Sequence, residues 1–306
     1  MRIIRSLDKI NINKPLCLTI GNFDGFHLGH KKILNKIKEI AKHENIPTAV
    51  LSFEPHPTIF FKKKFNDYRI NSASQKLKFI KDFGIDYAII LNFNQNLSQI
   101  SANQFLEQII LNTLNTKYII VGHDFCFGKN KQGNISFLKD NESKLNFKTI
   151  TIDPVFIDKV LCSSSNVRLN IKNSQIKEAN QILGHCYNYE SIVLTGNKLG
   201  SKIGFPTVNL ASKNSLLKPK YGVYKTKTFL PHLNQKFDSI TNFGVKPTVS
   251  NQNKEIFETH IFDFNQEIYG RKICLEFFDF IREEKKFSST DELRKQIYQD
   301  INTILT

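Results

Sequence analysis

Residues 16–30 read LCLTIGNFDGFHLGH, an apolar run that ends in a glycine-rich turn carrying two histidines. The run is typical of a buried parallel strand, and Gly21 and Gly25 permit a tight turn after it. The apolar spacing beyond the turn predicts a helix whose opening turn holds His27 and His30 on one face. Free backbone N–H groups and the helix dipole favour an anion there. Two imidazoles in this place can donate hydrogen bonds to a phosphate as its charge grows in a transition state.

The turn resembles the His-x-x-His signature of the nucleotidyltransferase superfamily, in the version found in prokaryotic FAD synthetases. The resemblance implies that His27 and His30 are catalytic, and that the nucleotide is bound by Gly21, Asn22, Phe23, Asp24, Gly25 and Gly29. Two ordinary surface histidines are the alternative interpretation. A metal site is the weaker one, because His-x-x-His without a third nearby ligand supplies half a site.

Strand and helix patterns alternate through the first part of the chain. Apolar runs predict strands over 49–53, 87–91 and 118–121, and helical periodicity predicts helices over 75–83 and 102–114. Such alternation predicts a doubly wound, Rossmann-like α/β sheet of parallel strands. Ligands of these sheets bind beyond the carboxyl ends of the strands, which is where both histidines fall.

Two further polar residues follow predicted strands. His56 lies in the rigid turn Glu54-Pro55-His56-Pro57, either as part of a site rim or as an incidental residue of a stiff loop. Asp124 lies in GHDFCFG over 122–128, either reading a base or ring edge or capping a turn. The second segment resembles the Gly-x-Asp-Phe-x-Phe-Gly element of FAD synthetases. The resemblance favours a ligand role, and we assign both residues to flavin binding.

A cluster of hydroxyl groups precedes an arginine at the start of another predicted helix, over 163–168. Hydroxyls, a helix N-terminus and a guanidinium together suit nucleotide phosphates, although an ordinary serine N-cap gives the same pattern. The string resembles the Ile-Ser-Ser-Thr-x-Ile-Arg motif of the same superfamily. That resemblance implies nucleotide binding by Ser163 and Ser164 and a catalytic role for Arg168. A helix over 175–183 then closes a first domain over 1–184.

The pattern changes after residue 185, where a second domain over 185–306 is predicted. Short β-type runs fall at 191–195, 221–230, 237–243, 255–264 and 271–281. Strands joined by polar turns predict a small antiparallel β-barrel. A terminal helix with apolar spacing covers it, and its start carries Ser289 and Glu292, a capping-box pattern.

The chemistry of the second domain begins in the glycine-rich string over 196–209. Its glycines let backbone N–H groups face a phosphate, and Lys202 adds charge; hairpin turns also use glycine. Thr207 and Asn209 alternate on an extended segment, so both oxygens face one way and suit Mg²⁺. GFPTVN within the string resembles the signature of riboflavin kinases, which favours nucleotide binding by Gly200, Lys202 and Gly204.

A carboxylate stands among apolar neighbours in the predicted strand IFETHIF over 256–262. An outward-facing charge is the ordinary explanation of Glu258, and a general base for a substrate hydroxyl is the other. The context resembles the catalytic-glutamate strand of riboflavin kinases, so we assign the base to Glu258. The segment over 281–287 resembles the Arg-x-Glu-x-x-Phe element of that family, which implies that Arg282 and Glu284 lie near the flavin. Surface salt bridges are the alternative for both.

Composition sets looser limits. The 306 residues suffice for two domains, and a formal net charge of +15 suggests anionic partners. Lysine is abundant throughout, which favours a general compositional bias over a nucleic-acid patch. Five scattered cysteines without metal spacing fit a cytoplasmic protein with reduced thiols. No apolar stretch has the length of a signal peptide near the N-terminus or of a membrane span elsewhere, so we expect neither, and we expect no nucleic-acid or membrane partner; the oligomeric state is not predicted.

The resemblance covers nearly the whole chain, in the motif order of the prokaryotic bifunctional riboflavin kinase/FMN adenylyltransferases. It implies that the second domain phosphorylates riboflavin to FMN with ATP and Mg²⁺. The first domain would join AMP from ATP to FMN, giving FAD and pyrophosphate. The alternatives are a chain with one activity only, a nucleotidyltransferase acting on another phosphorylated substrate, and a basic nucleic-acid-binding protein.

Overall fold

The computed structural model describes residues 1–10, 12–62, 66–195, 200, 203–246 and 254–305. The chain forms two compact units, Met1–Ser164 and Ser165–Thr306. Within the described residues, no helix combines the length and the apolar character needed to cross a bilayer.

The first unit is built on a parallel sheet of six strands. In chain order its strands are β1 (Arg2–Ile4), β2 (Leu16–Ile20), β3 (Thr48–Glu54), β4 (Tyr87–Asn92), β5 (Thr116–Gly122), the short pair β6 (Cys126–Phe127) and β7 (Gly133–Asn134), β8 (Lys148–Ile152), and the short pair β9 (Phe156–Ile157) and β10 (Val160–Leu161). The six-stranded sheet has the order β1-β4-β3-β2-β5-β8. The chain winds outward from β2 to β4 and then crosses back to β5. The β2–β5 junction is therefore the topological switch point, where open α/β sheets bind ligands.

Helices cover both faces of this sheet. They are α1 (Leu28–Glu44), α2 (Pro57–Lys62), α3 (Ala73–Asp82), α4 (Gln95–Gln99), α5 (Ala102–Gln104), a π-helix (Phe105–Thr113) and α6 (Ile135–Leu145), with 3₁₀ turns at Leu7–Lys9 and Lys129–Lys131. Alternate residues of β2 point to opposite faces. Leu16 and Leu18 pack with the π-helix, and Cys17 packs with Leu34 and Ile37 of α1. The predicted doubly wound sheet is confirmed.

The second unit is a closed antiparallel barrel. Its strands are β11 (Tyr187–Leu194), β12 (Val208–Ala211), β13 (Gly222–Leu230), β14 (Gln235–Lys246), β15 (Lys254–Ile261) and β16 (Lys272–Arg282), in the order β11-β12-β15-β14-β13-β16, with β16 closing on β11. Its helices are α7 (Ser164–Lys172), which begins at the last residue of the first unit, α8 (Ile176–Leu183) and α9 (Thr290–Leu305). The Asn180 amide of α8 donates to Phe277 O at 2.8 Å and accepts from Tyr187 N–H at 2.6 Å, which ties α8 to the barrel.

The interior of the barrel is part aromatic and part hydroxylic. The rings of Phe243 and Phe257 stack with centroids 4.3 Å apart. A buried chain of hydroxyls crosses neighbouring strands, with oxygens 2.8–2.9 Å apart, and comprises Thr228, Ser239, Thr226, Thr241 and Thr259. Because side chains alternate along a strand, the neighbours of these residues point to the opposite face.

The terminal helix caps the barrel as predicted. Ile304 of α9 packs with Val223 and Ile240. Ser289 accepts the backbone N–H of Glu292 at 3.2 Å, which confirms the N-cap. The Glu292 carboxylate accepts from Ser288 N–H at 2.9 Å, one residue before the partner in an ideal capping box.

Candidate active sites

The turn after β2 has a strained backbone. Phe23, Gly25 and Phe26 have φ values of 50°, 84° and 47°, and only the glycine adopts this region at little cost. Both phenylalanine rings are buried in the core around α1. The ring of Phe23 is held in this core, with its centroid 4.9 Å from that of the His30 ring, and its contribution to the predicted nucleotide site would come from its backbone.

The two histidines of the predicted pair lie together. His27 is the N-cap residue of α1 and is buried, and its ring stacks on that of His30 with centroids 3.7 Å apart. A Cβ added at Gly29 would lie 3.0 Å from the His27 ring and 3.2 Å from Cys162 O. Glycine therefore fits best between the histidines, because a side chain there would crowd the His27 ring and the carbonyl of Cys162.

The turn is anchored from behind by three hydrogen-bonding groups. The buried Asp24 carboxylate accepts the backbone N–H groups of Ile70 at 3.0 Å and Asn71 at 3.2 Å. Ser164 Oγ donates to Asp24 O at 2.7 Å, and Ser52 Oγ donates to the carbonyl of Asn22 at 3.4 Å. The Asp24 carboxylate thus fixes the turn, and Ser164 of the predicted phosphate motif reaches the same turn.

The other predicted residues of the first half lie on neighbouring elements. His56 follows β3 and is buried; its Nδ1 accepts Thr58 N–H at 3.1 Å, and its ring meets Tyr68 edge to face at 5.2 Å. Asp124 follows β5 and is exposed. Since β3 and β5 flank β2, these residues follow the same sheet edge as the histidine turn. Ser163 precedes α7, and Arg168 lies on α7 within the second compact unit.

In the barrel, three polar side chains form one row across adjacent strands. Glu258 of β15 lies directly opposite Asn209 of β12 and Asn242 of β14. Directly paired residues share a face, with Cβ atoms about 5 Å apart. Because Thr241 and Thr259 belong to the interior hydroxyl chain, this row lies on the outer face of the barrel. The structure therefore brings Asn209 and Glu258 together.

Asn209 has a property that suits a cation. Its side chain is buried, and its Oδ1 has no hydrogen-bond partner among the described residues. A buried carbonyl oxygen left without a donor is rare, and it is a hard ligand for Mg²⁺. Asn209 and Thr207 also line a cavity of about 250 Å³ at the barrel, together with Thr259 and residues 264–269.

The glycine-rich segment before β12 is described only in part. Phe205 N–H donates to Gly200 O at 2.8 Å, and a Cβ at Gly200 would meet Phe205 O at 2.3 Å. Gly204 has a φ of 89°. Both positions therefore require glycine. Lys202, the predicted phosphate-binding lysine, lies outside the described residues.

The predicted flavin residues of the barrel have different surroundings. Arg282 donates from Nε to both oxygens of Asp300 on α9, at 2.9 and 3.0 Å, and from Nη2 at 2.7 Å. Glu284 accepts from Asn242 Nδ2 at 3.2 Å, and its carboxylate overlies Gly244, where a Cβ would come within 1.7 Å of it. Glu284 thus adjoins the Glu258 row, whereas Arg282 ties β16 to the terminal helix.

Within the described residues, no group of three or more His, Cys, Asp or Glu side chains is arranged to hold a metal ion. All five cysteines are free thiols, and burial raises the pKa of Cys17 to about 12.

Comparison with known proteins decides the family. Residues 9–166 match the family model described as FAD synthetase, and residues 183–306 match the one described as riboflavin kinase. A bifunctional riboflavin kinase/FMN adenylyltransferase of Buchnera aphidicola from Schizaphis graminum is 38% identical over 99% of this chain and 97% of its own. Its namesake from Haemophilus influenzae is 35% identical, over 99% and 98%. The chain belongs to this bifunctional family.

A solved structure supports the fold over the full length. The crystal structure described as a macrolide-efflux protein from Streptococcus pneumoniae has a TM-score of 0.87 and 27% identity, and the match covers 100% of this chain and 98% of that one. We take the fold from this likeness. The FAD synthetase region carries the histidine turn, His56, Asp124 and the serine cluster, and it ends two residues before Arg168. The riboflavin kinase region carries the barrel candidates.

One polar cluster of the FAD synthetase region escaped the sequence analysis. Lys76 of α3 is only 3% exposed, and its Nζ donates to Ser52 Oγ at 3.0 Å and to Phe53 O at 3.4 Å. Arg69 and Glu54 form a two-pronged ion pair beside it. Burial, together with the charge of Arg69, lowers the pKa of Lys76 to about 8, against the opposing effect of nearby carboxylates. No sequence signal marks this lysine, since buried lysines are rare.

Proposed function

We propose that the chain makes FAD from riboflavin in two steps, each in its own domain. The domain over 185–306 transfers the γ-phosphoryl group of ATP to the riboflavin 5′-hydroxyl, giving FMN and ADP. The domain over 1–184 then joins the AMP part of a second ATP to FMN, giving FAD and pyrophosphate. The order of the two matched family regions supports this assignment.

In the kinase step, Glu258 accepts the proton of the riboflavin hydroxyl as that oxygen attacks the γ-phosphorus. The position of Glu258 opposite Asn209 supports this role. A base and a Mg²⁺ ligand on the same face of the barrel could act on the riboflavin hydroxyl and on the ATP phosphate that it attacks. Thr207 and Asn209 would hold Mg²⁺, which neutralises phosphate charge when bound. Gly200, Lys202 and Gly204 bind the nucleotide, and Arg282 and Glu284 bind the flavin.

In the adenylyl step, the FMN phosphate attacks the α-phosphorus of ATP and pyrophosphate leaves. The phosphate is already ionised, so no protein base is required. His27, His30 and Arg168 stabilise the charge that develops, and the stacked pair at the start of α1 supports this role. Backbone groups of residues 21–25, Gly29, Ser163 and Ser164 bind the nucleotide, while His56 and Asp124 bind the flavin.

The observation that carries the proposal is the direct pairing of Glu258 with Asn209 across β15 and β12. A nucleotidyltransferase of another substrate would explain the histidine turn but not this second constellation. A chain that keeps only one activity would still have both sets of residues, but one of the two sets would not catalyse its reaction.

The test is chromatography of flavins after incubation with ATP, Mg²⁺ and either riboflavin or FMN. Glu258→Gln should lower FMN formation by about 10²–10⁴-fold and leave FAD formation from supplied FMN unchanged. His30→Ala should do the reverse. Glu276→Gln, which removes a barrel carboxylate paired with Lys236, is the matched control and should change neither rate. Equal loss of both activities in either test variant would refute the two-site assignment.

The proposal extends to the setting of the enzyme. We place it in the cytoplasm with ATP, riboflavin and FMN as its partners and without nucleic-acid or membrane binding. Five free thiols support this location, because oxidising compartments favour disulfides. A DNA or RNA mobility shift that weakens with salt would contradict the expectation about nucleic acid.

A further inference from the structure

A buried lysine stands behind the histidine turn and is linked to it by one hydroxyl. Lys76 Nζ lies 3.0 Å from Ser52 Oγ, and Ser52 Oγ lies 3.4 Å from the carbonyl of Asn22. Ser52 is fully buried within β3. The ammonium is too deep to meet a substrate directly, so any influence on the site must pass through Ser52.

The direction of these hydrogen bonds depends on the protonation of Lys76. An ammonium carries donors only, so Ser52 Oγ must accept from it and must turn its single hydrogen towards the Asn22 carbonyl. A neutral amine has a lone pair and can accept from Ser52 instead. The serine hydrogen would then point away from Asn22, and the turn would lose one of its anchors.

The charges that face Lys76 come from three elements. Asp24 belongs to the turn, Glu54 ends β3, and Arg69 precedes α3 and is paired with Glu54. Burial is the largest influence on Lys76 and lowers its pKa to about 8; Arg69 adds to the effect, and Glu54 and Asp24 oppose it. Lys76 therefore changes its protonation within the range in which enzymes are assayed.

We propose that protonated Lys76 is a positioning residue of the adenylyl-transfer site, which fixes the histidine turn by orienting the Ser52 hydroxyl. The inference rests on the proposed adenylyl transfer at that turn. Its consequence is that FAD formation declines as pH rises through about 8, while riboflavin phosphorylation at the barrel does not follow the same curve. Phosphate groups of the substrates do not cause this decline, because their last ionisation lies near pH 6.

The experiment measures kcat and KM for FAD formation from FMN between pH 6.5 and about 9.5, in wild type, Lys76→Met, Ser52→Ala and the double variant. FMN formation from riboflavin in the same preparations is the internal control for protein concentration and for folding of the barrel, and the circular dichroism spectrum of each variant is the control for folding of the first unit. In each single variant, kcat/KM at pH 7 should be roughly tenfold lower than in wild type, which corresponds to the loss of one hydrogen bond. FAD formation in these variants should no longer decline as pH rises through about 8. The double variant should also lose about tenfold, since both changes break the same link.

The outcomes separate this inference from the proposed function. Wild type that makes no FAD refutes the adenylyl-transfer assignment itself. The positioning role is refuted if Lys76→Met forms FAD as fast as wild type. It is also refuted if the decline at alkaline pH persists in Lys76→Met and Ser52→Ala. A hundredfold loss in the double variant refutes the link through Ser52. Normal kinase activity shows that the barrel is intact, and a circular dichroism spectrum that matches wild type shows that the loss does not come from unfolding of the first unit.

Discussion

Replacing Lys76 with methionine should change stability in a pH-dependent way that can be calculated. The pKa of Lys76 falls from 10.5 to about 8 in the folded protein, mainly through burial. Each pKa unit is worth about 1.4 kcal/mol, so the difference of 10.5 minus 8 amounts to roughly 3 kcal/mol. This is the cost of keeping the ammonium charged inside the fold at neutral pH.

The sign follows from the protons bound in each state. Between pH 8 and pH 10.5 the unfolded chain keeps the Lys76 proton and the folded chain has lost it. The free energy of unfolding of wild type therefore rises with pH in this window. Lys76→Met lacks this contribution. The free energy of unfolding of wild type, relative to that of the variant, should therefore increase by about 2 kcal/mol between pH 7 and pH 9.5.

The assay is urea unfolding followed by circular dichroism at both pH values. A chain of two units can unfold in more than one transition, so the comparison uses the transition whose midpoint the substitution moves at unchanged slope. Lys78→Met is the matched control, because Lys78 lies on the same helix with its side chain 69% exposed. A wild-type-minus-variant difference that stays constant from pH 7 to pH 9.5 would refute the reasoning.

Three further predictions concern single contacts. Gly29→Ala should lower FAD formation from FMN at least about tenfold, because the Cβ of the new alanine would lie 3.0 Å from the His27 ring. Riboflavin phosphorylation should not change, and an unchanged rate of FAD formation would exclude that crowding. Asp300→Ala leaves the guanidinium of Arg282 without its carboxylate and should cost about 3–5 kcal/mol, visible as a lower Tm, whereas Tm would not move if the pair were solvated. Asn209→Ala should raise the Mg²⁺ concentration that half-saturates FMN formation by about tenfold, and an unaltered titration would remove Asn209 from the metal site.

The alternation of strands and helices in the first domain could be predicted from the sequence, because buried parallel strands are continuous apolar runs. The edge strand β8 was missed: its sequence KTITI places two threonines among its residues, and only Ile152 is buried. α6 was missed for a related reason, since it buries only Leu138. The predicted helix over 102–114 exists but becomes a π-helix from Phe105, with Leu114 N–H bonded to Ile109 O. Periodicity alone does not distinguish that winding.

The contacts in the candidate sites are of two kinds: those within one segment could be predicted from the sequence, and those between distant segments could not. Local motifs predicted the adjacency of His27 and His30, because three residues span one helical turn. The pairing of Glu258 with Asn209 depends on strand register, which no local pattern contains. The clamp between Arg282 and Asp300 joins a strand to a helix eighteen residues later. Such contacts follow from the closed barrel rather than from any segment alone.

The strain in the turn is the reason why we expect its polar anchors to matter more for FAD formation than for the fold. Phe23 and Phe26 both have left-handed φ values, and each such non-glycine residue costs about 1–3 kcal/mol. This conformation persists only because the surroundings hold it: Asp24 fixes the turn to Asn71 and Ile70, and Ser52 fixes it from β3. The sheet is built mainly from apolar contacts of its own strands, and the buried rings of Phe23 and Phe26 add to the core around α1, so the loss of one polar anchor should loosen the turn before it unfolds the sheet. Substitutions behind the turn should therefore reduce FAD formation well before they unfold the unit.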